Sequence, residues 1–234
     1  MTVSQLRSVA RRRRLVELVG PAGAGKSTVA QLLRAGPAGV RTAPGLWTLP
    51  RGPLGLNTLR LLPRVLGFYR AFRGRVWDEM KQVIRLDTLY RRVVGVRNDA
   101  ADGVLLLDEG PVLALGWLIV FGDDRIRRPA FAAWREAAVA LWAAALDVVV
   151  LLDAPDAVLV RRIRERTKPH DVKSRSDGAI IEFTKTYRAA LESAIAALSR
   201  PGGLTVVRID TGDDAPETTA ARVRAALLRV TDGD

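Results

Sequence analysis

The segment Gly20-Pro-Ala-Gly-Ala-Gly-Lys-Ser27 constrains this chain more than any other part of it. It satisfies the spacing G-x-x-x-x-G-K-[ST], directly after the apolar run 15–19 and directly before the helical pattern 28–34. Glycines at 20, 23 and 25 let the backbone curl until several N–H groups point inward, and the N-terminus of the next helix adds its own donors. Such a turn is expected to wrap phosphates, with Gly20, Ala22, Gly23, Ala24, Gly25, Lys26, Ser27 and Thr28 as the binding positions. Lys26 would supply a mobile cation to the β- and γ-phosphates and Ser27 a hydroxyl ligand to Mg²⁺. ATP, or a related nucleoside triphosphate, with Mg²⁺ is the expected cofactor pair.

The apolar runs 15–19, 104–107, 148–152 and 204–209 are each strand-sized, and each precedes a helix candidate. Their hydrophobicity is continuous rather than alternating, as in strands covered on both faces. The expected class is therefore α/β: a three-layer P-loop NTPase fold with a parallel sheet, helices on both faces and a helical insertion after the first βα unit. A short further strand is expected at 40–42. In 234 residues with 48% hydrophobic content one core can bury roughly 70–75% of the unfolded surface. One domain is expected over 15–230, preceded by a basic arm at 1–14 and followed by a short tail at 231–234.

The insertion, 36–97, opens with a Pro/Gly-rich connector at 36–55 and continues into two expected helices at about 56–73 and 76–96. It is the natural acceptor-binding lobe. Trp77, Lys81, Ile84 and Arg85 share one face of the second helix, suited to a planar or phosphorylated acceptor or to the core.

Two further clusters carry chemistry. The run 104–107 delivers Asp108 and Glu109 to the carboxyl end of its strand, where ligands bind in open α/β sheets. Asp108 is expected to orient Mg²⁺ or its water, and Glu109 to act as general base or to polarise water. After the run 148–152, a helix beginning at Asp156 carries Arg161, Arg162, Arg164 and Arg166 into a polar loop with Lys168, His170, Lys173 and Arg175. A loop of that charge at 166–178 is expected to close as a lid over phosphates and to neutralise charge in the transition state.

Taken together, the Gly20-to-Ser27 segment, the strand ending at Asp108, the sequence Asp153-Ala-Pro-Asp156 before an arginine-rich helix, and Phe183 with Tyr187-Arg188 resemble the thymidylate and deoxynucleoside kinase group. The resemblance spans most of the chain, and only its first motif is highly specific. It implies that Lys26 and Ser27 hold ATP, that Arg162, Arg166 and Arg175 close on the phosphates, and that the segment with Asp210, Thr211 and Gly212 lies beside the adenine. Where that group has an Asp-Arg pair, this chain has Asp108-Glu109, which shifts the expected acceptor contacts to Arg70, Arg73, Arg75, Lys81 and Arg85.

Composition trims the other classes. There is no cysteine, and His170 is the sole histidine, so disulfides, thiolate sites and multi-histidine metal clusters are excluded. No run reaches the ~18–20 uncharged residues of a membrane span, and a cytoplasmic protein with no membrane partner is expected. The formal charge of +12 comes mostly from arginines spread along the chain and reads as composition bias, part of which phosphate-bearing small substrates would explain equally well; with no interleaved aromatic-and-basic stripe, nucleic acid is not the expected partner. No Asn-Lys-x-Asp element for guanine is present. The expected function is an ATP-dependent phosphotransferase acting on a small hydroxyl- or phosphate-bearing acceptor, with Lys26, Asp108, Glu109, Arg162 and Arg166 in catalysis. The alternative is an NTPase coupling hydrolysis to a protein or nucleic-acid partner. The apolar stretches after Pro111 and around 130–146 suit either the core or a homodimer face.

Overall fold

In the computed structural model, residues 13–36, 40–72, 77–97, 103–124, 129–167, 171–212 and 214–232 are described. The expected arm at 1–14 and the tail therefore lie largely outside the described residues. So do Arg73 and Arg75 at the end of the first insertion helix, and Lys168 and His170 of the expected lid.

Strands β1 (Arg14–Val19), β2 (Val40–Thr42), β3 (Val104–Leu107), β4 (Val148–Asp153) and β5 (Thr205–Asp210) form one sheet in the order β2-β3-β1-β4-β5, with every pair parallel. The four expected runs are strands to within a residue or so at each end, and the short one at 40–42 pairs as an edge strand on β3. Helices α1 (Lys26–Ala35), α2 (Arg51–Phe72), α3 (Trp77–Arg97), α4 (Pro111–Phe121), α5 (Pro129–Ala145), α6 (Asp156–Glu165), α7 (Asp177–Ser199) and α8 (Pro216–Asp232) complete the chain.

Alternate strand residues feed two cores. On one face Val16, Leu18, Leu106, Val148 and Val150 pack with Val29 and Leu33 of α1 and Val223 and Leu227 of α8. On the other, Leu15, Leu105, Leu107, Val149 and Leu151 meet the buried residues of α3, α4, α5 and α7. Central strands buried on both sides explain why their sequences show no alternation. Helices α4 and α5 place Leu115, Leu118, Phe131, Trp134 and Trp142 in this second core, which accounts for much of their apolar character.

One residue departs from that logic. Glu17 lies in the middle of central strand β1, fully buried, at a position the pattern assigns to a hydrophobe. Its carboxylate accepts from the backbone N–H groups of Gly110 at 3.0 Å, Val112 at 2.9 Å and Leu113 at 3.0 Å. Those donors are the cap and first turn of α4, which has no capping side chain of its own and Pro111 at its start. Glu17 thus satisfies helix-end donors from across the sheet, in place of a local cap. Gly110 must lack a side chain here, because a Cβ would lie 2.7 Å from the Glu17 carboxyl carbon.

Burial pushes the Glu17 carboxyl up from 4.5 to about 7, against the lowering effect of its three amide donors. A raised folded-state value means that the folded protein binds the proton more tightly. Glu17's contribution to stability is then complete below pH 4.5 and is lost as pH rises through about 7. We expect Glu17→Gln to destabilise the fold by about 1–3 kcal/mol, since its amide nitrogen cannot accept from the α4 donors. Denaturant unfolding should show that deficit narrowing between pH 5 and pH 8.

Candidate functional site

Residues 20–25 leave the end of β1 and turn into α1. Gly20, Gly23 and Gly25 all have positive φ, and Gly25, at φ 85°, is the N-cap of α1. At Gly20 the requirement is also steric, since a Cβ would sit 2.1 Å from the carbonyl oxygen of Leu152 in β4. The loop therefore lies directly against the neighbouring strand. Ala24 is buried, Ala22 packs beside Ile163 and Val172, and Ser27 and Thr28 stand exposed in the first turn of α1. The N-terminus of α1, which has no capping side chain, thus opens into solvent with two hydroxyls beside its first-turn amides.

Lys26 curls back over this loop, donating to the carbonyls of Gly20 at 2.7 Å and Pro21 at 2.9 Å. Burial, reinforced by the nearby cation Arg166, pulls its ammonium down to about 8, while Glu109 pulls in the opposite direction. A cleft of about 440 Å³ opens here, lined by Gly23 to Val29 together with Gln31, Arg162, Arg166, Thr167, Thr211, Asp214, Pro216 and Thr219.

Three segments close around that cleft. Arg162 on α6 donates to the Thr211 carbonyl at 2.7 Å and its Oγ1 at 3.0 Å, and lies 3.5 Å from the Gly23 carbonyl. It ties the glycine loop to the segment after β5. Thr211 is buried, and its N–H donates to the Asp153 carbonyl at 2.8 Å. Arg188 on α7 holds the 153–156 turn through the Asp153 carboxylate at 2.9 Å, the Ala154 carbonyl at 2.7 Å and Asp156. Its position shows a bracing role.

On the other side, Asp108 and Glu109 follow β3, and residues 43–48 cross over them: the N–H of Ala43 bonds Leu106 and that of Leu46 bonds the Glu109 carbonyl. Asp108 pairs with Arg34 of α1 at 3.2 Å. Glu109 Oε2 accepts from the Trp47 N–H at 3.0 Å, and the guanidinium of Arg85 on α3 lies 4.5 Å from the centre of the Trp47 ring. Gly45 completes the enclosure, since a Cβ there would lie 2.6 Å from Glu109 Oε2. Burial raises the Glu109 carboxyl above 4.5 and Asp108 raises it further, against the Trp47 amide, Arg85 and Lys26.

The sequence-derived site residues are thus brought together unequally. Gly23, Ala24, Gly25, Lys26, Ser27, Thr28, Arg162, Arg166 and Thr211 share the cleft. Gly20 and Ala22 support the loop from behind. Asp108 and Glu109 stand beside it, facing the insertion. Arg175 does not line the cleft, and its carbonyl is held by Arg164. Asp210 caps the turn after β5 by accepting from the Gly212 N–H at 2.8 Å, and Asp214 lines the cleft instead. Lys81 pairs with Asp78 at 2.7 Å and its ammonium lies 5.9 Å from the centre of the exposed Trp77 ring, whereas Arg85 reaches the ring of Trp47. Trp47, Arg34 and Asp214 are site residues that periodicity could not reveal, because each reaches the site from a loop or across a helix pair.

Two buried side-chain oxygens, Asn57 Oδ1 on α2 and Gln82 Oε1 on α3, have no partner among the described residues. Gln82 lies one helical turn before Arg85, so the helix pair that carries Arg85 also carries unfilled hydrogen-bonding capacity.

No protein-family model matches the chain, and no curated protein matches it.

Gly20→Ala tests the packing of the loop. We expect it to destabilise the protein by at least about 1–3 kcal/mol, because its methyl meets backbone rather than a movable side chain. Gly178→Ala, in open space in the first turn of α7, should instead gain about 0.5–1 kcal/mol. Chemical denaturation of both variants measures the contrast.

Proposed function

We propose that this protein is an ATP-dependent phosphotransferase of P-loop architecture. It would carry the γ-phosphoryl group to the hydroxyl or phosphate oxygen of a small acceptor bound between the Asp108-Glu109 turn and the α2–α3 insertion. The observation that carries the reading is the glycine loop at the N-terminus of α1, with Lys26 folded over it, opening on a cleft that Arg162, Arg166 and Thr211 also line.

The cleft fits a triphosphate. Its floor is a helix N-terminus and glycine amides, and its walls carry Lys26 and Arg166 beside Arg162, a lining whose donors and charge favour phosphate oxygens. Mg²⁺ would arrive on the nucleotide and complete its shell with the Ser27 hydroxyl and Asp108, directly or through water. Bound there, Mg²⁺ would neutralise charge on the β- and γ-phosphates.

The chain's own residues would do the rest. The amides at 23–27 and Lys26 hold the transferring group, while Arg166 at the end of α6 meets charge that builds on it. Arg162 is a positioning residue, fixing the loop to Thr211 rather than touching phosphate. Glu109 accepts the acceptor's proton as the new oxygen–phosphorus bond forms and the bond to the β-phosphate oxygen breaks, releasing ADP. Its raised value keeps the carboxylate basic enough for that proton near neutral pH. Arg85 and Trp47, stacked beside it, offer a flat, cationic wall to the acceptor.

The test is ADP release from Mg·ATP by the purified protein, alone and with nucleosides, nucleoside monophosphates, sugars or aminoglycoside-like hydroxyl compounds. Release that rises with one acceptor class supports the reading. Steady release without acceptor would favour an NTPase, and no release would favour a nucleotide sensor. Lys26→Ala should lower acceptor-dependent turnover by roughly 10²–10³-fold. Glu109→Gln, which keeps the acceptor oxygen for the Trp47 amide, should cost roughly 10²–10⁴-fold. In the wild type kcat/KM should rise with pH through a midpoint above 4.5, and Glu109→Gln should remove that limb.

A further inference from the structure

Helix α2 is apolar on two opposite sides, and only one of them is used. Asn57, Leu61, Val65 and Phe68, at spacings of four, four and three, are buried in the main core beneath it. On the outer side Leu56, Leu59 and Leu66 fall on one stripe with Pro63, and Leu62 and Tyr69 flank it. Leu56 is 73% exposed and Leu59 68%, and Leu62, Leu66 and Tyr69 are also exposed. Trp77, more than half exposed, opens α3 five residues beyond the end of α2, at the same end of the helix pair as Tyr69. A run of adjoining large apolar side chains on one helix face marks a contact surface.

Charge identifies what that surface meets. Cations are spread along the whole chain, but acids are not. Between Glu17 and Asp78 there is no aspartate or glutamate. Residues 1–77 hold 14 of the 37 lysines and arginines and 1 of the 25 acids. That segment carries +13, and the remaining 157 residues together carry −1. The outer face of α2 lies within the basic segment. Arg60 and Arg64 run along one border of the stripe, Arg51 lies on the other, and Arg70 stands on the stripe itself at its C-terminal end, all four exposed.

We propose that the outer face of α2 docks on an anionic phospholipid bilayer surface, with the leucines and Tyr69 at the acyl boundary and the arginines among the headgroups. A leucine-rich stripe bordered by arginines, ending beside Tyr and Trp, is the pattern of a helix lying in the membrane interface. Nucleic acid shares the charge but offers nothing to a bare leucine stripe. A second copy of this face would oppose arginine to arginine, and the basic segment 1–12 would do the same. No helix among the described residues is long and apolar enough to cross a membrane, and this surface needs none. The inference rests on α2 and the charge distribution alone, independently of the phosphotransfer reading.

The experiment is sedimentation of the full chain with phosphatidylcholine vesicles, with and without phosphatidylserine, alongside a duplex-DNA binding assay and a measurement of solution mass. Association is expected with the phosphatidylserine vesicles and not with phosphatidylcholine alone. Arg60→Gln with Arg64→Gln should weaken it by about 30-fold, roughly fivefold for each arginine. Leu56→Ser with Leu59→Ser should weaken it by at least about tenfold. All four positions are exposed, so both variants should melt as the wild type does. The proposal is overturned if neither vesicle binds, or if both variants bind as the parent does. It is overturned equally if duplex DNA binds more tightly than vesicles and is unaffected by the leucine substitutions, or if those substitutions split a dimer while vesicle binding is absent.

Discussion

A single buried carboxylate joins the two halves of the candidate site. Glu17 lies three residues before Gly20 and accepts from the three amides that follow Asp108 and Glu109. It sets the height of the α4 start against the central strand, and hence the position of the two carboxylates relative to the glycine loop. A hydrophobe would have been the cheaper residue for a central strand, and it would have left the α4 donors unsatisfied inside the protein. The cost shows in the raised Glu17 value and in Tyr187, whose hydroxyl is pushed up to about 12 by burial and then by Glu17 itself. The sheet, the first turn of α4 and the loop at 20–25 are therefore one mechanical unit.

Around that unit the ionisable groups are moved toward neutrality from both sides. Burial lowers Lys26 and raises Glu109, and each partly offsets the shift of the other. An acid raised and a base lowered mark a partly enclosed polar site, where burial disfavours both charged forms. The arginines divide by partner: Arg162, Arg164 and Arg188 are spent on backbone carbonyls and aspartates, whereas Arg166 faces the cleft and acts on Lys26.

Much of the fold was legible because its signals are local. Continuous apolar runs gave the strands, and the glycine spacing placed the loop at the end of β1. The edge strand at 40–42 was readable despite its three residues. Helix α2 begins at Arg51, five residues before its expected start, because Pro50 and Pro53 mark a helix entrance as readily as a connector. What the pattern could not give was anything set by distance in space. Glu17 carried no signal of its own inside the run 15–19, since no sequence rule links it to an α4 cap 93 residues away. Trp47 sat in a Pro/Gly-rich stretch with no periodicity, and its place beside Glu109 depends on the chain crossing over β3. Arg175 lies outside the cleft lining, with its carbonyl held by Arg164, and the Asp210 carboxylate caps the turn after β5, placements that depend on contacts across the fold. The expectation of no membrane partner rested on the length of apolar runs alone, a criterion that does not see a helix lying flat.

The central claim is that the loop at 20–27, Arg162 with Arg166, and Thr211 together hold a nucleoside triphosphate. Amide hydrogen exchange with and without a non-hydrolysable ATP analogue and Mg²⁺ tests it most directly. The account predicts protection at residues 22–29, at 162–167 and around 211–216, and loss of all three in Lys26→Ala. Protection confined to other parts of the chain, or none at saturating analogue, would contradict it.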